Sequence, residues 1–479
     1  FNNCTFIGPG DGTGGPNVFY DANALNVTNS IFTGFGGLAI IGVDITHCLF
    51  NNMQIDSNTD IVGTNSITQD PLFCDAENGN YGLAANSPAL GSDSNGSNIG
   101  ALGATCSAIY QGPVWYVATS GSNTNNGSES SPYQTIQYAI DEASSGDTIL
   151  VQPGTYSENL DIQRRLSVTI GSLYLTTGDT SYIRSTIING GGNGPTIFMK
   201  TWDNYLDNYG LASLYLKGVT LTGGAADEDI EVPCSPCMAG GGIYAYTIDT
   251  LVVDHVILKE NTTSGSSTSS GIHVRGHSQK GSYFKLTNST VANNTADGYN
   301  GTIYIGNTKT VDIVNTLVHS NIGRNSGLGV YINEADTAMV VNSTIANNMN
   351  DGGSDGLYID MYSNSDSVLV MNSVIAMNKD YSSSTDDYEL SGDEIGIDDG
   401  RLILINNYTN EDLYSGQAKI KRESGNVYST MDPFTDLSNG DFSLSDISDA
   451  IGVGTSSVKY YGKTITVPAK DLSGDSRPS

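Results

Sequence analysis

His273, Arg275, His277 and Lys280 form the best basic cluster in the sequence, with Lys259 about one repeat earlier. Ile272 and Val274 alternate with His273 and Arg275, so in a strand the basic pair points outward. A general base in such a cluster needs a cleft and a lowered pKa. Without both, the cluster is a solvated outer face. Carboxylates gather at Asp227-Glu228-Asp229 and more densely at Asp386, Asp387, Glu389, Asp393, Glu394, Asp398 and Asp399. Oxygen-rich loops of this kind suit Ca²⁺, which takes about six to eight oxygens. Structural Ca²⁺ is therefore the one cofactor expectation, set against a solvated acidic loop. The acids match neither an EF-hand nor a nonapeptide Ca²⁺ repeat. No carboxylate pair can be placed at the fixed separation that glycoside hydrolysis requires. Nucleophile elbow, Walker loop and HExxH motifs are absent.

The cysteines bear on compartment. Cys74 and Cys106 bracket a stretch rich in Gly, Asn and Ser, and Cys234-Ser-Pro-Cys237 sits in a polar insertion. Disulfides suit an exported protein of this composition. A zinc half-site at Cys234 and Cys237 would need a second Cys or His pair at metal spacing, which is missing. Cys4 and Cys48 read as buried thiols.

Internal repeats supply the elements that hold these residues. Asn288-Ser-Thr-Val-Ala-Asn-Asn, Asn315-Thr-Leu-Val-His-Ser-Asn, Asn342-Ser-Thr-Ile-Ala-Asn-Asn and Asn372-Ser-Val-Ile-Ala-Met-Asn start 27, 27 and 30 residues apart. Asn3, Asn29 and His47 open similar segments. Each repeat holds short period-two stretches between Gly/Asn/Asp/Ser corners, the signature of half-buried strands. Such a unit is too short for a propeller blade and lacks helical periodicity. It fits one coil of a parallel β-helix, with coils stacked at about 4.8 Å. Asn288, Asn315, Asn342 and Asn372 are then a candidate ladder of corner amides, or residues that tolerate a left-handed turn. A second column, Tyr244, His273, Tyr304, Tyr331 and Tyr358, lies between apolar neighbours. It should form an outward row, either a contact surface for sugars or a self-stacking support.

Charge excludes other classes. Lys and Arg number 20 against 51 Asp and Glu, a net charge of −31. Phosphate neutralisation needs the opposite sign, so nucleic acid is not a partner. No apolar run approaches the roughly 18 residues of a membrane span. The first residue, Phe1, already lies in a repeat, and the sequence is expected to be a segment of a longer chain, with targeting signals outside it.

Asp70-Pro71-Leu72-Phe73, Asn80-Tyr81-Gly82-Leu83 and Ser87-Pro88-Ala89-Leu90-Gly91 recur as Asp432-Pro433-Phe434, Asp441-Phe442-Ser443-Leu444 and Ser448-Asp449-Ala450-Ile451-Gly452. One terminating element thus appears twice, and two bodies in tandem follow. Residues 1–108 are the last coils and terminator of the first. Residues 109–131 are a linker and first strand. Residues 132–479 are the second body, with a terminator over 432–479. Ser131 as N-cap, Pro132 as first helical residue and the face Ile136, Ala139, Ile140, Ala143 predict a capping helix over 132–143. Such a cap closes the sticky end of a solenoid.

Residues Trp115 to Asn159, with Ser145-Gly-Asp-Thr-Ile-Leu-Val-Gln-Pro-Gly-Thr-Tyr156, resemble the start of the pectate-lyase-like right-handed parallel β-helix superfamily. More narrowly, they resemble the secreted or surface β-helix repeat proteins of environmental bacteria. The resemblance implies an all-β solenoid and leaves activity open, because the superfamily holds lyases, hydrolases, epimerases, adhesins and tailspikes. Lyases of that superfamily hold Ca²⁺ with carboxylates and use Arg or Lys as base, which would place a lyase site at His273, Arg275 and His277. The expectation is a non-enzymatic extracellular structural or adhesive segment of a surface protein or fibre. Its partners would be other copies or domains of the same chain and extracellular glycans. The alternatives are a lyase or epimerase acting on acidic glycans, and a glycan-binding module using the Tyr row.

Overall fold

The computed structural model describes the chain except residues 9–16, 19–24, 36, 39–42, 52–64, 77–78, 94, 163–165, 202–210, 228–239, 265–268, 278–280, 298–299, 324–328, 351–355, 362, 364–365, 383–386, 391–393, 399, 411–413, 416–418, 461–462 and 478–479. Glu228, Asp229, Cys234, Cys237 and Lys280 thus lie outside the described residues. The chain divides into two compact units, Phe1–Gln111 and Gly112–Ser479.

The second unit is a parallel β-helix. Its strands join into a long sheet of 18 strands, a second of ten and a third of seven among the described residues. Along the ten-stranded sheet each strand lies on the equivalent strand of the next coil in register: Thr290 on Leu317, Leu317 on Thr344, and Thr344 on Val374. Alternate residues point inward and stack, so Leu258, Val291, Val318, Ile345 and Ile375 are all fully buried.

The corners explain why coils of this length repeat. His255, Asn288, Asn315, Asn342, Asn372 and Asn406 all hold a left-handed backbone, with φ between 51° and 54°. Asn visits that region at lower cost than most residues because its short amide bonds locally. Gly218 and Gly425 flank the column with the same sign of φ. The corner amides also bond along the stack: Asn315 Nδ2 donates to Asn288 Oδ1 at 2.8 Å, and Asn288 Nδ2 to Asp254 Oδ1 at 2.9 Å. Both properties weighed from the sequence meet in this column.

A second amide column is buried. Asn261, Asn294, Asn321, Asn348 and Asn378 follow a second row of left-handed residues, Glu260, Asn293, Ser320, Asn347 and Met377. Each donates its Nδ2 to the next amide oxygen, at 3.0, 2.9, 2.8 and 2.9 Å, and each backbone N–H reaches the same oxygen. Asn378 ends the series on the carboxylate of Glu394 at 2.6 Å.

The capping helix is shorter than the sequence predicts. It runs Ile136–Glu142, with Thr135 as N-cap accepting from the Tyr138 N–H. Ser131 and Pro132 instead close the preceding polar loop, because the Ser131 carbonyl accepts from Gly127 and the Pro132 carbonyl from Ser122. The Glu158 carboxylate takes the Ile136 and Gln137 N–H groups at 3.0 and 2.9 Å, satisfying donors that a helix start leaves open. Ile136, Ala139 and Ile140 are buried beneath it.

In the first unit, Thr5–Ile7, Ile31–Thr33, Leu49–Asn51 and Ile67–Thr68 form one parallel sheet. Phe6, Phe32 and Phe50 stack at 4.7 and 5.4 Å. The two terminators share their bonding. Asp70 Oδ1 accepts from Leu72 N and Asp432 Oδ1 from Phe434 N, while Ser87 Oγ and Ser448 Oγ each accept from the N–H two residues on. Their continuations differ. After the first, Ala104–Cys106 adds a parallel strand beside Asn80–Ala84, fastened by the Cys74–Cys106 disulfide. Cys4 and Cys48 are free, Cys48 buried and its thiol pushed up to about 11 by desolvation. A disulfide spanning 32 residues restricts the unfolded chain. Cys106→Ser should therefore destabilise the first unit by about 2–5 kcal/mol in a urea titration, leaving the second-unit transition in place. Unchanged first-unit stability would show that the strand holds without its bridge.

Candidate functional site: an aromatic row with an acidic end

The row expected from the sequence exists and is one member longer. Register places Phe198 on Tyr244, Tyr244 on His273, His273 on Tyr304, Tyr304 on Tyr331, and Tyr331 on Tyr358. Ring centroids are 5.4, 5.5, 4.7, 5.3 and 5.2 Å apart. The sequence signal for Phe198 was its place between Ile197 and Met199, the alternation used for the others.

Outward does not mean exposed here. Tyr244, His273 and Tyr304 are only 2%, 0% and 5% accessible, which corrects the expectation of an open row. The adjoining corner folds over them: Ser269 Oγ lies 3.3 Å from His273 Nδ1. Gly240 rests so close that an added Cβ would come within 3.0 Å of the His273 Cβ. Tyr331 and Tyr358 are half-buried.

Burial also removes His273 from acid–base chemistry. Desolvation, aided by the Arg275 charge, pulls the imidazole down to about 3, so it stays neutral over the ordinary pH range. Arg275 is half-buried in a neighbouring column, where register runs Lys200, Tyr246, Arg275, Gly306, Asn333, Asp360. With its amide oriented to satisfy both sides, Asn307 accepts from Arg275 Nε at 2.9 Å. His277 belongs to the following turn, where its N–H donates to Ser282 Oγ at 2.9 Å. The solvated basic face is thus corrected to a buried imidazole beside a paired guanidinium.

The opposite end of the columns is acidic. Asp360 pairs across from Asn333, and Asp398 follows Ile397, the partner of Ile359, so the two aspartates occupy equivalent places on neighbouring coils. That spacing is about 4.8 Å along the stack. The Tyr358 hydroxyl donates to Asp398 Oδ2, and Asn333 Nδ2 donates to the Tyr304 hydroxyl at 2.9 Å. Burial first, then Asp360, Asp398 and Glu334, push the Tyr331 hydroxyl up; burial, the bond to Asp398 and Asp360 do the same at Tyr358. Both phenols therefore keep their protons over the ordinary pH range. The aspartate pair escaped the sequence reading, although Ile359-Asp360 and Ile397-Asp398 carried the same two-residue signal.

Among the described residues, the acids read as a Ca²⁺ loop lie apart. Asp386, Asp393 and Asp399 lie outside the described residues. Asp387 and Glu389 fall in a strand, Asp387–Leu390, paired antiparallel with Lys379–Ser382. Glu394 is buried against Asn378, and Asp398 is engaged by Tyr358. Among the described residues no three His, Cys, Asp or Glu side chains gather to hold a metal.

Residues 119–282 match a family described as "Protein of unknown function (DUF1565)". A curated relative, the uncharacterized protein YwoF of Bacillus subtilis, is 36% identical over 52 residues, 11% of each chain. Solved structures of similar outline include pectate lyase Pel9A, at 14% identity and TM-score 0.37 over 77% of this chain and 98% of that one. Another is the pectin methylesterase PemA of Erwinia chrysanthemi, at 12% identity and TM-score 0.30 over 71% of this chain and 97% of that one. In fold, the chain is an all-β parallel β-helix.

Proposed function

We propose that the chain is a non-enzymatic, extracellular β-helix segment of a surface protein that contacts neutral glycans through Tyr331 and Tyr358. The observation that carries this reading is the graded burial of the aromatic row. Four of its members, Phe198, Tyr244, His273 and Tyr304, are enclosed, and only the Tyr331–Tyr358 end, beside Asn333, Glu334, Asp360 and Asp398, is part-exposed. Aromatic faces suit sugar rings, and carboxylates and amides suit their hydroxyls. An acidic end repels polyanions, which favours neutral over acidic glycans. The lyase reading loses its geometric support, since the Arg275 guanidinium it would use as base is half-buried and bonded to Asn307, beside an enclosed imidazole. Export fits the Cys74–Cys106 disulfide. No described helix is long and apolar enough to cross a membrane.

A glycan array with the intact chain tests this. Binding to neutral oligosaccharides should weaken tenfold or more in Tyr358→Ala, about 1.4 kcal/mol, and persist in Tyr244→Phe. Unsaturated products released from an acidic polysaccharide, or binding indifferent to Tyr358, would overturn the proposal.

A further inference from the structure

The last coils of the second unit break the alternation that governs the rest. Along the long sheet, outward positions are Thr250, Val252 and Asp254 on one strand and Tyr283, Lys285 and Thr287 on the next. They become Met339 and Val341, then Leu369 and Met371, then Ile403 and Ile405. Strands apolar on both faces need a second layer. Residues after the repeated terminating motif, which ends at Gly452 and so occupies only the first part of the expected 432–479 terminator, supply it. The antiparallel hairpin of Ser457–Tyr460 and Lys463–Thr466 sets Val458, Tyr460, Ile465 and Val467 on this strip, and Leu369 and Met371 are fully buried beneath it.

Polar contacts latch the arm at both ends. The Asn372 amide clasps the Thr455 backbone, donating to its carbonyl at 2.7 Å and accepting from its N–H at 3.0 Å. Tyr460 Oη donates to the Ser367 carbonyl at 3.2 Å, and Arg477 Nη2 to Asn315 Oδ1 at 2.7 Å. The connector has the opposite character. Ile451 is 53% exposed, Gly452 holds φ +78°, and residues 451–456 are exposed or half-exposed throughout. The terminator closes its own bonds before this point, at Ser448 and Ile451. In the first unit the equivalent stretch is instead held by a disulfide and a third strand.

We propose that the C-terminal arm is exchangeable, and that the apolar strip over Met339, Val341, Leu369, Met371, Ile403 and Ile405 accepts the same arm from a second copy of this chain. Exchange preserves every arm-to-coil contact and alters only the connector, whose glycine and exposure leave it little to lose. Reciprocal exchange closes a two-fold dimer, because each copy gives the arm that it receives. The strip's composition selects the occupant: four apolar side chains in hairpin spacing, with an asparagine corner to clasp backbone and an asparagine to take a guanidinium. This inference does not depend on glycan contact at Tyr358.

The full chain is incubated at high concentration with a fluorescent peptide of residues 455–479, and anisotropy and sedimentation are followed. Saturable capture of the peptide is expected, weakened tenfold or more when the peptide carries Tyr460→Ala and Arg477→Ala. Dimer should form over the same hours. A full-chain variant with Asn372→Cys and Thr455→Cys, where a short side chain already touches the backbone of its partner, oxidised to lock the arm, should neither capture peptide nor dimerise. Absence of both capture and dimer in the unlocked chain would overturn the proposal, as would equal capture by the locked chain.

Discussion

Asn321→Ala should destabilise the second unit by roughly 4 kcal/mol, at about 1–3 kcal/mol for each buried polar group left without its partner. The Asn321 Oδ1 accepts from both the backbone and the side chain of Asn294, and its Nδ2 donates to Asn348 Oδ1 and to the Val291 carbonyl at 3.1 Å. Alanine removes all four bonds at a position 1% exposed, where water cannot replace them. The Asn294 N–H is left with no acceptor, while Asn348 Oδ1 keeps the Asn321 backbone donor. The corner column supplies the comparison at Asn342, which is half-buried. Asn342→Gly keeps the left-handed backbone and should stay within about 1 kcal/mol of the parent. Urea titrations of both variants give the ordering. Equal losses would mean that the buried amides contribute no more than the corner ones.

The two columns also show how far a sequence speaks for this fold. The period, the corners and the alternation are one-dimensional signals, and the register they imply, Asn315 on Asn342, is the one found, with Asn315 N–H donating to the Val341 carbonyl beside it. Which of two equally periodic asparagines is buried is decided by the third sheet closing over one corner, and no local spacing carries that. Outward direction was likewise legible at Tyr244 and His273, but their exposure depends on how the neighbouring corner at Gly240 and Ser269 folds. The capping helix showed its face at Ile136, Ala139 and Ile140. Its start depended on a distant carboxylate, Glu158, and on Asn123, whose Oδ1 accepts from Gln134 and Thr135. The second layer did leave a mark: Ser367-Val-Leu-Val-Met371 and Arg401-Leu-Ile-Leu-Ile405 read as strands buried on both faces. The acidic end of the aromatic row was missed because Asp360 and Asp398 lie 38 positions apart, on coils of unequal length.

His273→Tyr should flatten the acid side of the stability curve. The imidazole is folded with a pKa of about 3 against an ordinary value of 6.5, so between those limits the unfolded chain binds the extra proton. Stability from this group is complete above pH 6.5 and is lost as pH falls toward 3; below that both states are protonated. At pH 4 the loss amounts to roughly 3 kcal/mol, at 1.36 kcal/mol for each unit of pKa difference. A tyrosine at this place continues the register of Tyr244 and Tyr304 and carries no proton to lose or gain in the window. The variant should therefore match the parent near pH 7 and exceed it by a few kcal/mol at pH 4. His319, held near 4 by burial against Phe442, adds a slope of the same sign that His273→Tyr leaves in place. Asp254, lowered to about 2 because bonds from His255, Asn288 and Thr287 outweigh its desolvation, acts further down, between about 4 and 2. Parallel curves for parent and variant from pH 7 to pH 4 would show that the ring at His273 is reached by water, and the enclosure of the aromatic row would have to be abandoned with it.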